Sequence, residues 1–351
     1  MGKPARHLLF TFDHELFLGR RSGSVDRCMI QPVRRVLEVL ERFGLKAMFY
    51  VDTTYLLRLR ELAPIHPALA RDLAALGEQL VDLARRGHEV HPHIHPHWLD
   101  AHYDAKAGEW SLEDLSKYRF AAIDEATRTS LFDGSMDMLN AILRKGDPGH
   151  QVDAFRAGGW GIQPFEDFLP HFRKHGIRYD LTVLPGSKAV TNAVRYDFTA
   201  PLPGPIYRFT NDVMVPEPDG EFTELAISSI PRPRKSTMDR LLAKVLWRLE
   251  HGRQIGDGHG VLFNDLEPDR LRGRDKEMVS VELLTALRVK AYQNFVDGHT
   301  FTQFISHPKM ISPHNLSMLD TLLRRLALRY ELRSDWRTLV TSSSLSPAGK
   351  E

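Results

Sequence analysis

One cysteine, Cys28, stands in 351 residues, so no disulfide can form within the chain. No nucleophile signature surrounds it, and a lone thiol of this kind reads as a small buried hydrophobe. Long apolar runs are also missing: nothing approaches the ~18 uninterrupted residues of a membrane-spanning helix. The opening MGKPARHLLFTFDHELF lacks the apolar centre and small-residue cleavage site of a secretory leader, so a cytoplasmic location is expected. Net charge is scarce too. At +2, with 26% charged residues, the chain has no electrostatic case for nucleic acid. The expected partner is a small molecule or a glycan.

What is present is a large apolar fraction, 42%, enough for one large α/β domain. His7 to Phe12 reads as a buried strand and Gln31 to Phe43 as a helix stopped by Gly44. Leu45 to Val51 follows as a second strand. The alternation repeats: a helix over Leu69 to Arg86, an extended His88 to His93, a helix over Asp124 to Leu143, and a strand from Asp153 to Arg156. Pro164 to Lys174, Val279 to Asp297 and Leu316 to Ala327 read as helices, Ile177 to Asp180 and Phe301 to His307 as strands. Strand, helix, strand in this order predicts parallel pairing, and polar clusters just after the strands predict a site at their C-terminal ends. The pattern weakens over about 190–270, a Pro/Gly-rich insertion expected to hold hairpins and long loops in a domain spanning 1–340, with a disordered tail at 341–351. Within the insertion, Thr237 to His251 reads as an amphipathic helix with a basic face. It packs on the domain or makes a peripheral contact with a membrane surface.

Histidine carries the chemistry. Six of the 17 histidines lie between His88 and His102, in GHEVHPHIHPHWLDAH. Neutral imidazole is a common metal ligand, and a hydrolytic metal needs about three protein ligands and an open position for water. His93 and His97 have the spacing of two ligands on one helical turn, which requires the chain to turn after His93. The alternation of His91, His93 and His95 leaves a His93/His95 pair open. Asp13 and Glu15 can supply a general base and an anionic ligand, or the same cluster can cap a helix. Arg156 can orient a carboxylate or bind substrate. His307 ends a late strand before Pro308.

TFDHE at Thr11–Glu15, GHEVHPHIHPHW at Gly87–Trp98, FRAGGW at Phe155–Trp160, YDLTVLPG at Tyr179–Gly186 and FISHP at Phe304–Pro308 occur in the order of five motifs. That ordered set resembles the polysaccharide deacetylase family, the NodB-homology group of carbohydrate esterases. The resemblance implies a distorted (β/α)7-type barrel holding one divalent metal, usually zinc. It implies Asp13 as general base, His93 and His97 as metal ligands and His307 as general acid. Arg156 and Asp180 would support them by orienting Asp13 and tuning His307. His14 replaces the family's second aspartate, so Glu15 is expected as the third ligand, with His14 as the alternative. The implied activity is removal of an acyl group, N-acetyl above all, from an amino sugar on a nucleotide- or lipid-linked glycan. A hydrolase of small amides or formamides is the alternative, and an inactive metal-binding protein a third reading.

Overall fold

The computed structural model describes residues 2–19, 21–191, 193–231, 241, 245, 253–260 and 276–343. Its centre is a nine-stranded sheet. In chain order the strands are β1 (Ala5–His14), β2 (Ala47–Asp52), β3 (Glu89–Ile94), β4 (Ala154–Ala157) and β5 (Tyr179–Asp180). Then come β6 (Ile206–Phe209), β7 (Phe222–Leu225), β8 (Phe301–Ser306) and β9 (Glu331–Arg333). The spatial order is β6-β7-β5-β4-β3-β2-β1-β8, with β9 on the first residues of β1. Within this sheet, among the described residues, only the β6–β7 pair is antiparallel.

Alternation along the strands sorts side chains between two cores. Leu8, Phe10 and Phe12 of β1 join the large outer cluster against the helices. Leu9 turns the other way, into a smaller cluster with Met48, Tyr50, Ala154, Leu225, Phe301 and Trp336. Thr11 and Asp13 continue the face of Leu9, and His14 continues the face of Phe12. Burial on both faces is why HLLFTF reads as a near-continuous apolar run.

Two stretches join the open edges of the sheet. Val279 N–H donates to Ser228 O (2.8 Å) and Ile305 N–H to Val279 O (3.0 Å), so residues near 228 and 279 link the region after β7 to β8. The result is a distorted barrel of seven parallel strands, with β9 added at one end.

Helices α1 (Gln31–Leu40), α2 (Thr53–Leu62), α3 (Pro67–Arg85) and α4 (Glu125–Leu143) cover the outside, followed by α5 (Leu169–His175), α6 (Ala286–Gly298), α7 (Pro313–Arg329) and α8 (Arg337–Ser343). Gly44 and Gly87, at φ 69° and 74°, end the first and third of these segments in the left-handed region that glycine tolerates. The carboxylate of Asp124 accepts the Thr127 N–H and starts α4.

Within 190–270 lies the β6–β7 hairpin, and β7 pairs in parallel with β5. Two expectations change. The helix predicted from Val279 starts only at Ala286, because the backbone of Val279 is spent on the sheet edges. Helix α8 runs into the expected tail. The predicted helix Thr237–His251 lies outside the described residues apart from Leu241 and Val245, as does 344–351. Among the described residues no helix is long and apolar enough to cross a membrane.

Candidate active site

Asp13 is the next-to-last residue of β1, and β2 and β8 flank that strand. Its carboxylate is buried, which by itself would raise its pKa. The Arg156 guanidinium, with His93 and His307, overcomes this and holds it below the usual carboxylate value. Arg156, fully buried, donates from Nη1 to Asp13 Oδ1 (2.7 Å), from Nη2 to Thr11 Oγ1 (2.8 Å) and from Nε to Leu181 O (2.9 Å). Its guanidinium also lies 4.3 Å from the centre of the Tyr50 ring. The rigid fork of arginine immobilises one oxygen of Asp13 and leaves Oδ2 facing His93 and His307.

Of the two histidine pairings compatible with the sequence, β3 brings together His93 and His95. The strand stays extended through Ile94, and His95 is still extended at φ −117°. Side chains two apart therefore share a face, and the turn comes at Pro96, later than expected. His93 Nε2 lies 3.1 Å from His95 Nε2. Glu15 Oε2 lies 2.8 Å from His95 Nε2 and 3.8 Å from His93 Nε2. Among the described residues, Glu15, His93 and His95 form one group whose ligand atoms all lie within 4.8 Å of one another.

His97, expected as a ligand, is in no such group. The turn places it beside His95, with ring centres 5.0 Å apart, stacked on Tyr118 at 5.2 Å and on Trp98 at 5.8 Å. Burial drives its pKa well below the ordinary histidine value. His14, the alternative third ligand, points to the opposite face and meets Gln79 Oε1 at 3.0 Å.

The donor set fits a divalent cation on its chemistry. His93 Nδ1 is 2.8 Å from the Arg156 carbonyl oxygen, which can only accept, so Nδ1 carries the proton and Nε2 presents a lone pair. Burial also lowers the His93 pKa to about 4, which keeps the ring neutral. Two imidazoles and one carboxylate form an established hydrolytic ligand set.

His307 follows β8 and faces Asp13 Oδ2 at 3.7 Å and Glu15 Oε1 at 3.6 Å through Nε2. Its other ring nitrogen meets Glu282, at 3.2 Å from Oε2 and 3.3 Å from Oε1. Burial opposes its charge, but Glu282, Asp13 and Glu15 outweigh that and raise the pKa to about 9. Asp180, expected in this tuning role, is elsewhere. It accepts from Thr182 Oγ1 at 2.7 Å and pairs in register with Glu224, because β5 lies beyond β4 on the side of the sheet away from β8.

Glu282 and Lys309 are site residues that sequence reasoning misses. Glu282 is hidden inside the predicted helix from Val279. Lys309 stands two residues past His307, and its position after a strand end is its only sequence signal.

A second group, Glu89, His91 and Asp153, lies at the opposite strand ends. There the Arg337 guanidinium already bonds Glu89 Oε2 and Asp153 Oδ1, each at 2.8 Å.

No protein-family model matches the chain, and no curated protein matches it. Among solved structures it is similar to one described as a polysaccharide deacetylase from Mycobacterium smegmatis. The identity is 14% and the TM-score 0.48, covering 100% of this chain and 96% of that one. It is similar to the catalytic domain of peptidoglycan N-acetylglucosamine deacetylase from Eubacterium rectale at 14% identity and TM-score 0.34, covering 100% and 94%. It is also similar to PuuE allantoinase at 12% identity and TM-score 0.44, covering 98% and 93%.

Proposed function

We propose that this chain is a metal-dependent hydrolase of amide bonds that removes an acyl group, N-acetyl above all, from an amino sugar of a glycan. One observation carries the reading: Asp13, Glu15, His93, His95 and His307 converge at the C-terminal ends of β1, β3 and β8, although almost 300 residues separate the first from the last. Glu15, His93 and His95 would hold the ion, for which zinc suits two imidazoles and a carboxylate. A bound divalent ion polarises an amide carbonyl and lowers the pKa of a coordinated water towards ~7.

The remaining work falls to the chain. Asp13 has one oxygen committed to Arg156, so Oδ2 is the atom that takes a proton from the attacking water. His307 Nε2, facing that oxygen at 3.7 Å, holds the proton that the departing amine needs, and Glu282 keeps the ring charged and oriented. The test is acetate release by zinc-loaded protein from N-acetylglucosamine oligomers and from lipid-linked N-acetyl sugars. Hydrolysis confined to small cyclic amides or formamides would favour the non-carbohydrate reading. Metal uptake without hydrolysis of any of these would overturn the assignment as an enzyme.

A further inference from the structure

Lys309 has 6% of its surface exposed, and its ammonium group needs partners that water cannot supply. Those partners are Glu15 Oε1 at 2.9 Å and Leu16 O at 2.5 Å, with the Phe17 ring centre at 5.1 Å. The backbone holds the lysine in place: Gly256 N–H donates to Lys309 O at 3.1 Å, and a side chain at Gly256 would meet that oxygen at 2.5 Å. The two oxygens of Glu15 are therefore divided. Oε2 turns to His93 and His95, while Oε1 is committed to Lys309 and lies 3.6 Å from His307.

We propose that Lys309 is a positioning residue that reserves one oxygen of Glu15, so that this carboxylate offers a cation a single oxygen atom. The proposal rests on the reading of Glu15, His93 and His95 as a metal site. A glutamate free at both oxygens can grip an ion through both and occupy a position that an incoming water needs. The lysine prevents this and adds a fixed positive charge beside the ion. That charge weakens cation binding while leaving the coordination sphere open.

The test uses cobalt(II) in the full chain, read by its visible ligand-field absorption, which is strong at low coordination number and weak at high. Wild-type protein should show the intense spectrum. Lys309→Met frees Oε1, so its bands should weaken several-fold and its affinity for cobalt, measured by chelator competition, should rise about tenfold. Lys309→Arg keeps the charge and the donors and should keep the wild-type spectrum. Wild-type intensity in a folded Lys309→Met variant overturns the proposal whatever its affinity. If that variant does not fold, the wild-type spectrum still decides, since a weak one overturns the proposal by itself. Failure of the metal-site reading looks different: cobalt uptake would then be unchanged in His93→Ala.

Discussion

Glu282 holds His307 at two points: its Oε2 accepts the backbone N–H at 2.6 Å and lies 3.2 Å from Nδ1 of the same residue. One carboxylate thus fixes where the strand end lies and which way the ring faces. If His307 is the general acid, His307→Ala should lower amide turnover by roughly 10²–10⁴-fold with metal content intact. Glu282→Gln should lose part of that. Both losses should shrink for an activated aryl ester, whose leaving group needs no proton. Equal relative losses on ester and amide would make the histidine structural.

The proposed ligand set takes His95 and leaves out His97. Elemental analysis of purified variants should find the ion lost from His93→Ala and His95→Ala and kept in His97→Ala. The reverse result for the last two would restore the helical spacing as the ligand pattern. Asp13→Asn should keep the ion and lose hydrolysis, since its Oδ2 serves as base in this mechanism.

Gly158 reports how tightly the site is built. A methyl group there would sit 2.5 Å from Ile94 O and 2.7 Å from His95 Nδ1, so the imidazole or the strand must shift. Gly158→Ala should therefore weaken metal binding by tenfold or more, about 1.4 kcal/mol. Thermal denaturation and metal titration check this together. Unchanged affinity in a folded Gly158→Ala protein would show that His95 is not held where the ion needs it.

Asp180 and Glu224 form a buried carboxyl pair facing each other across β5 and β7. Glu224 Oε2 has no donor of its own, and Oε1 accepts the Val183 N–H at 3.0 Å. Burial raises Asp180, and burial together with the Asp180 charge raises Glu224 well above the usual value. The folded pair therefore keeps a proton that the unfolded chain has lost. Its stabilising contribution is complete below the unfolded carboxyl pKa and is lost as pH rises through the folded value of Glu224. Urea midpoints measured from about pH 5 to 9 should fall with pH in the wild type and flatten in Glu224→Gln, whose amide supplies the missing donor. Parallel slopes would mean that no proton is shared.

Much of the barrel is legible in the sequence because its central strands are buried on both faces and its helices end at Gly44, Gly87 and Gly176. Asp13, Glu15, Arg156 and His307 stand out as polar residues at strand ends. The misses have physical causes. Helical periodicity in VSVELLTALRVKAYQNFVDG is real, yet Val279 is drawn into the sheet edge, and the helical pattern conceals Glu282. The sequence leaves both a His93/His97 and a His93/His95 pair open, and it is the continuation of β3 through Ile94 that puts His93 and His95 on one face. Lys309 takes its meaning from Glu15, a contact between residues 294 apart that no local pattern encodes.

The antiparallel pairing of Ser229, Ile230 and Pro231 with Met278, Glu277 and Lys276 has a use in protein engineering. The chain leaves the barrel wall and rejoins it at one place, and between the two points Ile255 and Gly256 donate to Ile311 O and Lys309 O, so 253–260 belongs to the wall's own packing. An insertion placed directly after Pro231 or directly before Lys276 leaves those contacts alone, and because closure entropy grows only slowly with loop length, foreign sequences of quite different sizes fit there with little strain. The two adjoining ends thereby offer grafting points for a reporter or a recognition module.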